Sequence, residues 1–257
     1  MIKLVKSEKN KIEFVIDEVN SSYINALRRS INEIPILAVD DVEITKNDSA
    51  LSDEMLAHRI GLLPLKYEKN FTPIEECSCK GKGCAKCTAS LTLKVSGSVV
   101  KASDLKGKSV EAVYPEMPLT VLQKGQEVEL IANARLGKGK NHAKYSPGLM
   151  WFREYPSISL PKNSEDLKEC AKVCPKNVFS FEPKLTIKNL INCDLCEACV
   201  EACQNKKEKI VVKGEKDKFI VDIESWGQLR PKEIFIEACK ILGKNIKEFL
   251  KEASKIK

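Results

Sequence analysis

Ten of the chain's eleven cysteines fall into two short clusters, and their spacing limits what the surrounding sequence can fold into. An odd number of thiols in tight groups makes a poor disulfide framework but a good set of metal ligands. The first group, Cys77-x-Cys79 with Cys84-x-x-Cys87, brackets the turn Lys80-Gly81-Lys82-Gly83. Four thiolates on one tight loop match a closed tetrahedral zinc site, which has no open position and is therefore structural. The C-x-C start is less usual than C-x-x-C, so free thiols or a vestigial site are the alternative. Lys80, Lys82 and Lys86 offset the charge of four thiolates, or meet nucleic acid or an acidic partner.

The second group contains Cys193-x-x-Cys196-x-x-Cys199-x-x-x-Cys203. This spacing wraps three thiolates around one cube of iron and sulfide, and the fourth cysteine points at another cluster. Upstream, Cys170-x-x-x-Cys174-Pro175 matches the tail of the same motif. The two positions where that motif needs further cysteines hold Leu167 and Ser164. Since the fourth cysteine of each motif serves the other's cluster, Cys174 should join Cys193, Cys196 and Cys199 around a single 4Fe–4S cluster. Cys170 and Cys203 are then a leftover pair, too few to hold a cube, that stays as thiols or closes into a disulfide. A structural staple is the expected role, because a domain of about 40 residues buries little core. The alternative is a ferredoxin-type electron-transfer protein, with residues 164–203 as its working part. Cys239 is expected to be a buried core residue.

The remaining sequence mixes strands and helices without repeats, which gives an α+β class. Residues 12–17 are strand-like, and Asn20-Ser21-Ser22 offers N-caps for a helix that runs to Ile31 and stops before Pro35. Strands are expected at 36–39 and 42–44, then a short helix from Asp53 to Ile60. From Leu91 to Leu130 strands alternate with breaks at Gly97, Gly107, Pro115, Pro118 and Gly125. Residues 135–148 read as a basic loop, with strands at 152–160, 210–212 and 219–223. The final helix starts near Pro231 and lines up Ile234, Ala238, Ile241, Leu242, Phe249, Leu250 and Ala253 on one face. Gly243 within it predicts a kink or a close contact.

Charged residues make up 31% of the chain, and no stretch of roughly 18 uncharged apolar residues exists to cross a membrane. The lysine-interrupted start, Met1 to Lys6, does not read as a signal peptide, so a soluble, cytoplasmic protein is expected. A net charge of +7 fits a solvated lysine-rich surface. Nothing near His58 or His142 sets a base beside a nucleophile, so no catalytic residue is assigned.

Three segments carry a resemblance. They are Asn25-Ala26-Leu27-Arg28-Arg29-Ser30 continuing to Ile34–Ile44, Asp53–Leu65, and Gly137-Lys138-Gly139-Lys140-Asn141-His142-Ala143-Lys144-Tyr145-Ser146-Pro147. With the C-terminal Glu224-Ser225-Trp226-Gly227 and its helix, they resemble the D subunit family of archaeal RNA polymerases. That family is related to the third-largest eukaryotic polymerase subunit and to the N-terminal domain of the bacterial α subunit. The resemblance implies a discontinuous dimerisation domain from residues 1–45 and 209–257. A β-rich insert domain at 46–162 would carry the zinc loop, and a ferredoxin-like domain would occupy 163–208. It further implies a non-catalytic assembly scaffold in transcription. The chain would pair with subunit L and present a platform to the large catalytic and small assembly subunits, meeting DNA only indirectly. Arg28 and Arg29 would reach a large subunit, and the apolar face at Ala26, Leu27 and Ile31 would join the final helix at the interface with L.

Overall fold

An antiparallel hairpin, β1 (Ile2–Ser7) and β2 (Lys11–Asp17), opens the computed structural model, which describes residues 1–68, 71–164, 167–181 and 184–256. The Asn20 side chain accepts the Tyr23 N–H at 2.8 Å and starts α1 (Ser21–Ser30). After a 3-10 turn comes β3 (Pro35–Asn47). Ser52 caps α2 (Asp53–Gly61), whose first turn holds Asp53 and Glu54 where the helix dipole favours them. The strands β4 (Leu65–Tyr67), β5 (Thr88–Ser96), β6 (Val99–Lys101) and β7 (Lys106–Gly107) follow. Next come β8 (Val110–Ala112), β9 (Pro118–Val121), β10 (Glu127–Lys138) and β11 (Gly148–Ser159). The second cysteine group is carried by short elements: α3 (Lys168–Lys172), β12 (Phe179–Phe181), β13 (Leu185–Ile187) and α4 (Ala198–Glu201). The chain closes with β14 (Val211–Ser225) and α5 (Pro231–Ala253).

These elements form two compact units, Met1–Asn25 with Met150–Asp222, and Ala26–Leu149 with Ile223–Lys257. The first is built on a sheet ordered β1-β2-β14-β11, with β12-β13 as a separate ribbon. Phe219, Ile220, Val221 and Asp222 of β14 are all buried, as expected of a strand covered on both faces. Phe152 of β11 meets the Phe219 ring edge-on at 5.7 Å.

The second unit holds a sheet ordered β3-β10-β5-β7-β8-β4 and the small pair β6-β9. Along β10 every second residue, Val128, Leu130, Ala132 and Ala134, points inward, the period-two pattern of a strand with one core face. Leu91 and Leu93 of β5 and Leu56 and Ile60 of α2 complete that core.

Three stretches depart from the sequence reading. The two strands expected between Ile36 and Ile44 are one, β3, which pairs with β10 from Pro35↔Lys138 to Asn47↔Val128 and absorbs two bulges. The same pairing extends β10 to Lys138, four residues into the expected basic loop; tertiary pairing overrides the glycine–lysine composition. The two C-terminal strands are likewise one, β14, continuous through Lys213-Gly214-Glu215-Lys216.

Helix α5 has Pro231 in its first turn, and the Glu233 carboxylate accepts the Arg230 N–H at 2.8 Å. Ile234 and Ala238 are buried and Ile241 and Leu242 half-buried, but Ile246, Phe249 and Leu250 are exposed by 49%, 72% and 59%. The expected apolar face is therefore used by this chain only in its first half. The helix runs through Gly243 unbroken, and a Cβ there would meet nothing within 4 Å, so neither a kink nor a close contact explains it. Cys239 is half-buried, not buried, and burial raises its thiol pKa. Among the described residues no helix is long and apolar enough to cross a membrane.

Candidate metal centres

The loop before β5 brings Cys77, Cys79, Cys84 and Cys87 together, with all four Sγ atoms within 4.8 Å of one another. Cys77–Cys84 and Cys79–Cys87 are each 3.6 Å apart, and Cys84–Cys87 3.9 Å. A tetrahedral ion holding sulfur at about 2.3 Å sets its ligands roughly 3.8 Å apart, so the thiols already stand at metal-binding separations. The turn reverses tightly because Lys80, Gly81 and Gly83 take φ of 53°, 83° and 81°, the left-handed region where glycine carries no Cβ penalty. Burial pushes the Cys87 thiol up, but the Cys84 N–H, the Thr88 hydroxyl and the neighbouring thiols outweigh it and bring it down to about 7. At Cys77 the Cys79 N–H lowers the thiol, while burial and three neighbouring thiols push it up to about 11. The group can hold a metal ion.

The six later cysteines are the quartet expected to hold a cluster and the leftover pair, and Cys170, Cys193, Cys199 and Cys203 share one buried apolar cluster. Burial raises the Cys199 thiol to about 11, followed by the charges of Cys174, Cys193 and Cys196, which places those four side chains in electrostatic reach. Cys193 is raised in the same way, by burial and then by Cys174, Asp194 and Cys196. They do not crowd within single-ion distances as the first loop does. An iron–sulfur cube spreads its thiolates around a larger body than a single ion does. Leu195 and Glu197, on either side of Cys196, have φ of 61° and 59°. The Cys196 N–H between them donates to the Asp194 carboxylate at 3.3 Å.

Cys170 and Cys203 lie in the same apolar cluster as Cys193 and Cys199. Both are free thiols with exposures of 1% and 0%, and burial, followed by a hydrogen bond to Cys203, raises Cys170 to about 11. They pack with Leu167, Val178, Leu185 and Ile210 in an apolar core. Leu167 occupies one of the motif's missing cysteine positions and is itself fully buried. Ser164 occupies the other and accepts the Leu185 N–H at 3.3 Å. Side-chain packing therefore fills the space a second set of ligands would need.

Sequence comparison places these features in a lineage. A model of the RNA polymerase Rpb3/RpoA insert domain matches residues 30–150. The chain is 36% identical over 267 residues to the DNA-directed RNA polymerase subunit Rpo3 of Methanosphaera stadtmanae, covering 98% of each protein. The chain belongs to the Rpo3/Rpb3 family of RNA polymerase subunits. Another Rpo3, from Methanothermobacter thermautotrophicus, is 38% identical over 94% of each chain. The DNA-directed RNA polymerase II subunit rpb3 of Dictyostelium discoideum is 32% identical over 95% of this chain and 92% of its own.

The segments that carry the family resemblance converge in the second unit. One cleft is lined by Asp40 and Asp41 of β3, His58 and Leu62 of the α2 region, and His142 and Lys144 of the glycine–lysine loop. Asp40 is its hub: it accepts the Tyr145 hydroxyl at 2.9 Å and pairs with Arg135 at 3.3 Å and Lys144 at 3.4 Å. Gly137 permits this, because a Cβ there would meet the Tyr145 ring at 2.6 Å. No local sequence signal announced the network, since its partners lie about a hundred positions apart. Burial works to raise the Asp40 carboxyl, but the Tyr145 hydroxyl and the two cations outweigh it and hold it below its usual range. A depressed carboxyl stabilises the fold above its unfolded pKa of ~3.9 and loses that contribution as pH falls through the lower folded value. Asp40→Asn is therefore expected to flatten the acid limb of stability below about pH 4, read by urea unfolding across pH. An unchanged acid limb would mean that Asp40 titrates normally.

Arg28 and Arg29 lie in the last turn of α1, Arg28 half-buried and Arg29 exposed, where cations suit the helix C-terminus. Leu27 and Ile31 are already buried within the chain at 1% and 3%, so they belong to its own core and are not available to a partner.

Proposed function

We propose that this chain is a non-catalytic assembly subunit of DNA-directed RNA polymerase that pairs with subunit L to present a platform for the large catalytic subunits. The observation that carries this reading is the end-to-end similarity to archaeal and eukaryotic polymerase subunits. Residues 1–45 and 209–257 would supply the dimerisation surface, 46–162 the insert and 163–208 the iron–sulfur module, a functional division that crosses the two compact units. The second half of α5 supports the pairing: Ile246, Phe249, Leu250 and Ala253 recur at helical spacing, and the first three remain exposed. Arg28 and Arg29 would face a large subunit. Contact with DNA would be indirect.

Zinc is the metal proposed for Cys77, Cys79, Cys84 and Cys87, because four thiolates at tetrahedral separations with no open position suit a structural zinc. Cys174, Cys193, Cys196 and Cys199 would hold one 4Fe–4S cluster, which when bound offers one-electron redox chemistry and a covalent tie across the module. The tie is the proposed role, and Cys170 and Cys203 are its unused pair.

Co-expression with subunit L tests the reading. The wild-type chain is expected to purify as a one-to-one complex with L. Replacing both Phe249 and Leu250 by glutamate should weaken that complex on the order of 30-fold or more, the scale of losing a central apolar anchor. A double variant that still binds L normally sinks the α5 interface. A wild-type chain that ignores L and passes electrons reversibly to an acceptor would instead favour the ferredoxin-type alternative.

A further inference from the structure

We propose that Arg153 is a positioning residue for the iron–sulfur site, clamping the segment that delivers Cys193 onto the four-stranded sheet; this rests on the cluster reading above. Arg153 lies on β11, an edge of the order β1-β2-β14-β11. Its guanidinium reaches across two inter-strand spacings, about 10 Å of sheet. Nη1 donates to Asp222 of β14 at 3.0 Å, and Nη2 donates to Glu13 of β2 at 3.0 Å. Nη2 also donates to the Ile191 backbone carbonyl at 3.0 Å. Asp222 is 5% exposed at its side chain, Glu13 17% and Arg153 25%, so the pairs are shielded from screening. Lys11 adds a second cation 3.8 Å from Asp222 while lying over the Trp151 ring, which balances two carboxylates against two cations.

The Ile191 carbonyl has a particular place. It sits in the 3-10 turn Leu190–Asn192, and the very next N–H groups are already committed. Asn192 N–H donates to Asn189 O at 3.1 Å and Cys193 N–H to Leu190 O at 3.0 Å. The Ile191–Asn192 peptide is thus fixed on its oxygen side by Arg153 and on its nitrogen side by the turn. Cys193, the first thiolate of the quartet, is the next residue along. Only a planar fork serves three acceptors in different directions; a lysine at this position is a point charge that keeps one or two of them. Binding linkage makes the effect reciprocal: what orders the cluster segment through Arg153 also ties the sheet to the cluster.

Anaerobically purified full-length chain, in complex with L where L is needed for solubility, supplies the test. Arg153→Lys should release iron to a ferrous chelator at least tenfold faster than wild type. Backbone amide exchange at Asn192 and Cys193 should quicken by a similar factor, with β2 and β14 amides changing less than threefold. Ile220→Val, a core variant on β14 that removes none of the Arg153 contacts, controls for general loosening and should shift sheet amides without speeding iron release. Should Arg153→Lys release iron at the wild-type rate, or only in proportion to a loss shared by the whole sheet, the proposal is overturned. A wild-type chain carrying no iron would count against the cluster reading instead, and the exchange of Asn192 and Cys193 would still decide whether Arg153 holds the turn.

Discussion

Replacing Cys199 by alanine is expected to empty the proposed iron–sulfur site: a chain predicted to carry about four irons when purified without oxygen should lose most of them. Three thiolates leave one iron of the proposed cube without a cysteine ligand and open to loss, and the lost ligand is a buried one, 7% exposed, in the module's apolar cluster. That core is small. Leu167, Val178, Leu185, Ile210 and Val212 pack around the cysteines themselves, and a segment of this size needs a covalent tie to stay folded. Loss of iron is therefore expected to expose residues 184–203 to proteolysis while the β3-β10-β5 sheet stays intact. Cys203→Ala provides the contrast, because Cys203 behaves as a small apolar side chain in the same core. It should keep all the iron and cost about 1 kcal/mol, near the cost of one buried methylene. Iron and sulfide analysis of the two variants side by side is decisive. Equal loss from both would put Cys203 among the ligands and undo the division into quartet and pair.

What the sequence made readable follows from how local each signal is. The Asn20 cap, Pro231 in the first turn of α5 and the breaks at Gly97 and Gly125 act within a few residues, and each stands where its chemistry predicts, whereas Gly107, expected as a break, lies in β7 paired with Leu91. The first cysteine loop is local too, spanning residues 77–87, and its thiols are gathered as their spacing suggested. Strand lengths were not local. Residues 135–138 look like loop by composition, yet β3 supplies a partner for every one of them. The same holds for Asp40, Tyr145 and Arg153, whose partners are set by strand order and not by neighbours in the chain. The resemblance, not helical spacing, put Leu27 and Ile31 at an interface, and their burial within the chain is the ordinary core that such a stripe more often marks.

Removal of the proposed zinc from the first cysteine loop is expected to leave that loop unfolded and its sheet standing. Besides its thiols the segment from Phe71 to Cys87 is tied by short-range backbone bonds, among them Thr72–Lys86 and Cys87–Cys84 at 2.9 Å and Lys80–Cys77 at 3.1 Å, and by Phe71 packed against Tyr67 at 5.7 Å between ring centroids. Backbone bonds of that kind contribute about 1 kcal/mol each. A structural zinc contributes roughly 10 kcal/mol or more in apparent terms, so the proposed ion would outweigh any one of these ties. The sheet draws on a separate source, the core of Leu91, Leu93, Leu130, Leu56 and Ile60, none of which touches the metal ligands by need. Trypsin offers a direct readout, since Lys80, Lys82 and Lys86 all lie inside the loop. Either chelation or Cys87→Ala is expected to speed cleavage there on the order of 100-fold, with strand content unchanged by circular dichroism. Adding zinc back should restore resistance after chelation but not in Cys87→Ala, since a fully buried ligand is gone. A chain that purifies without zinc and still resists trypsin at all three lysines would show the loop to be self-supporting, its four thiols held by packing instead of by an ion.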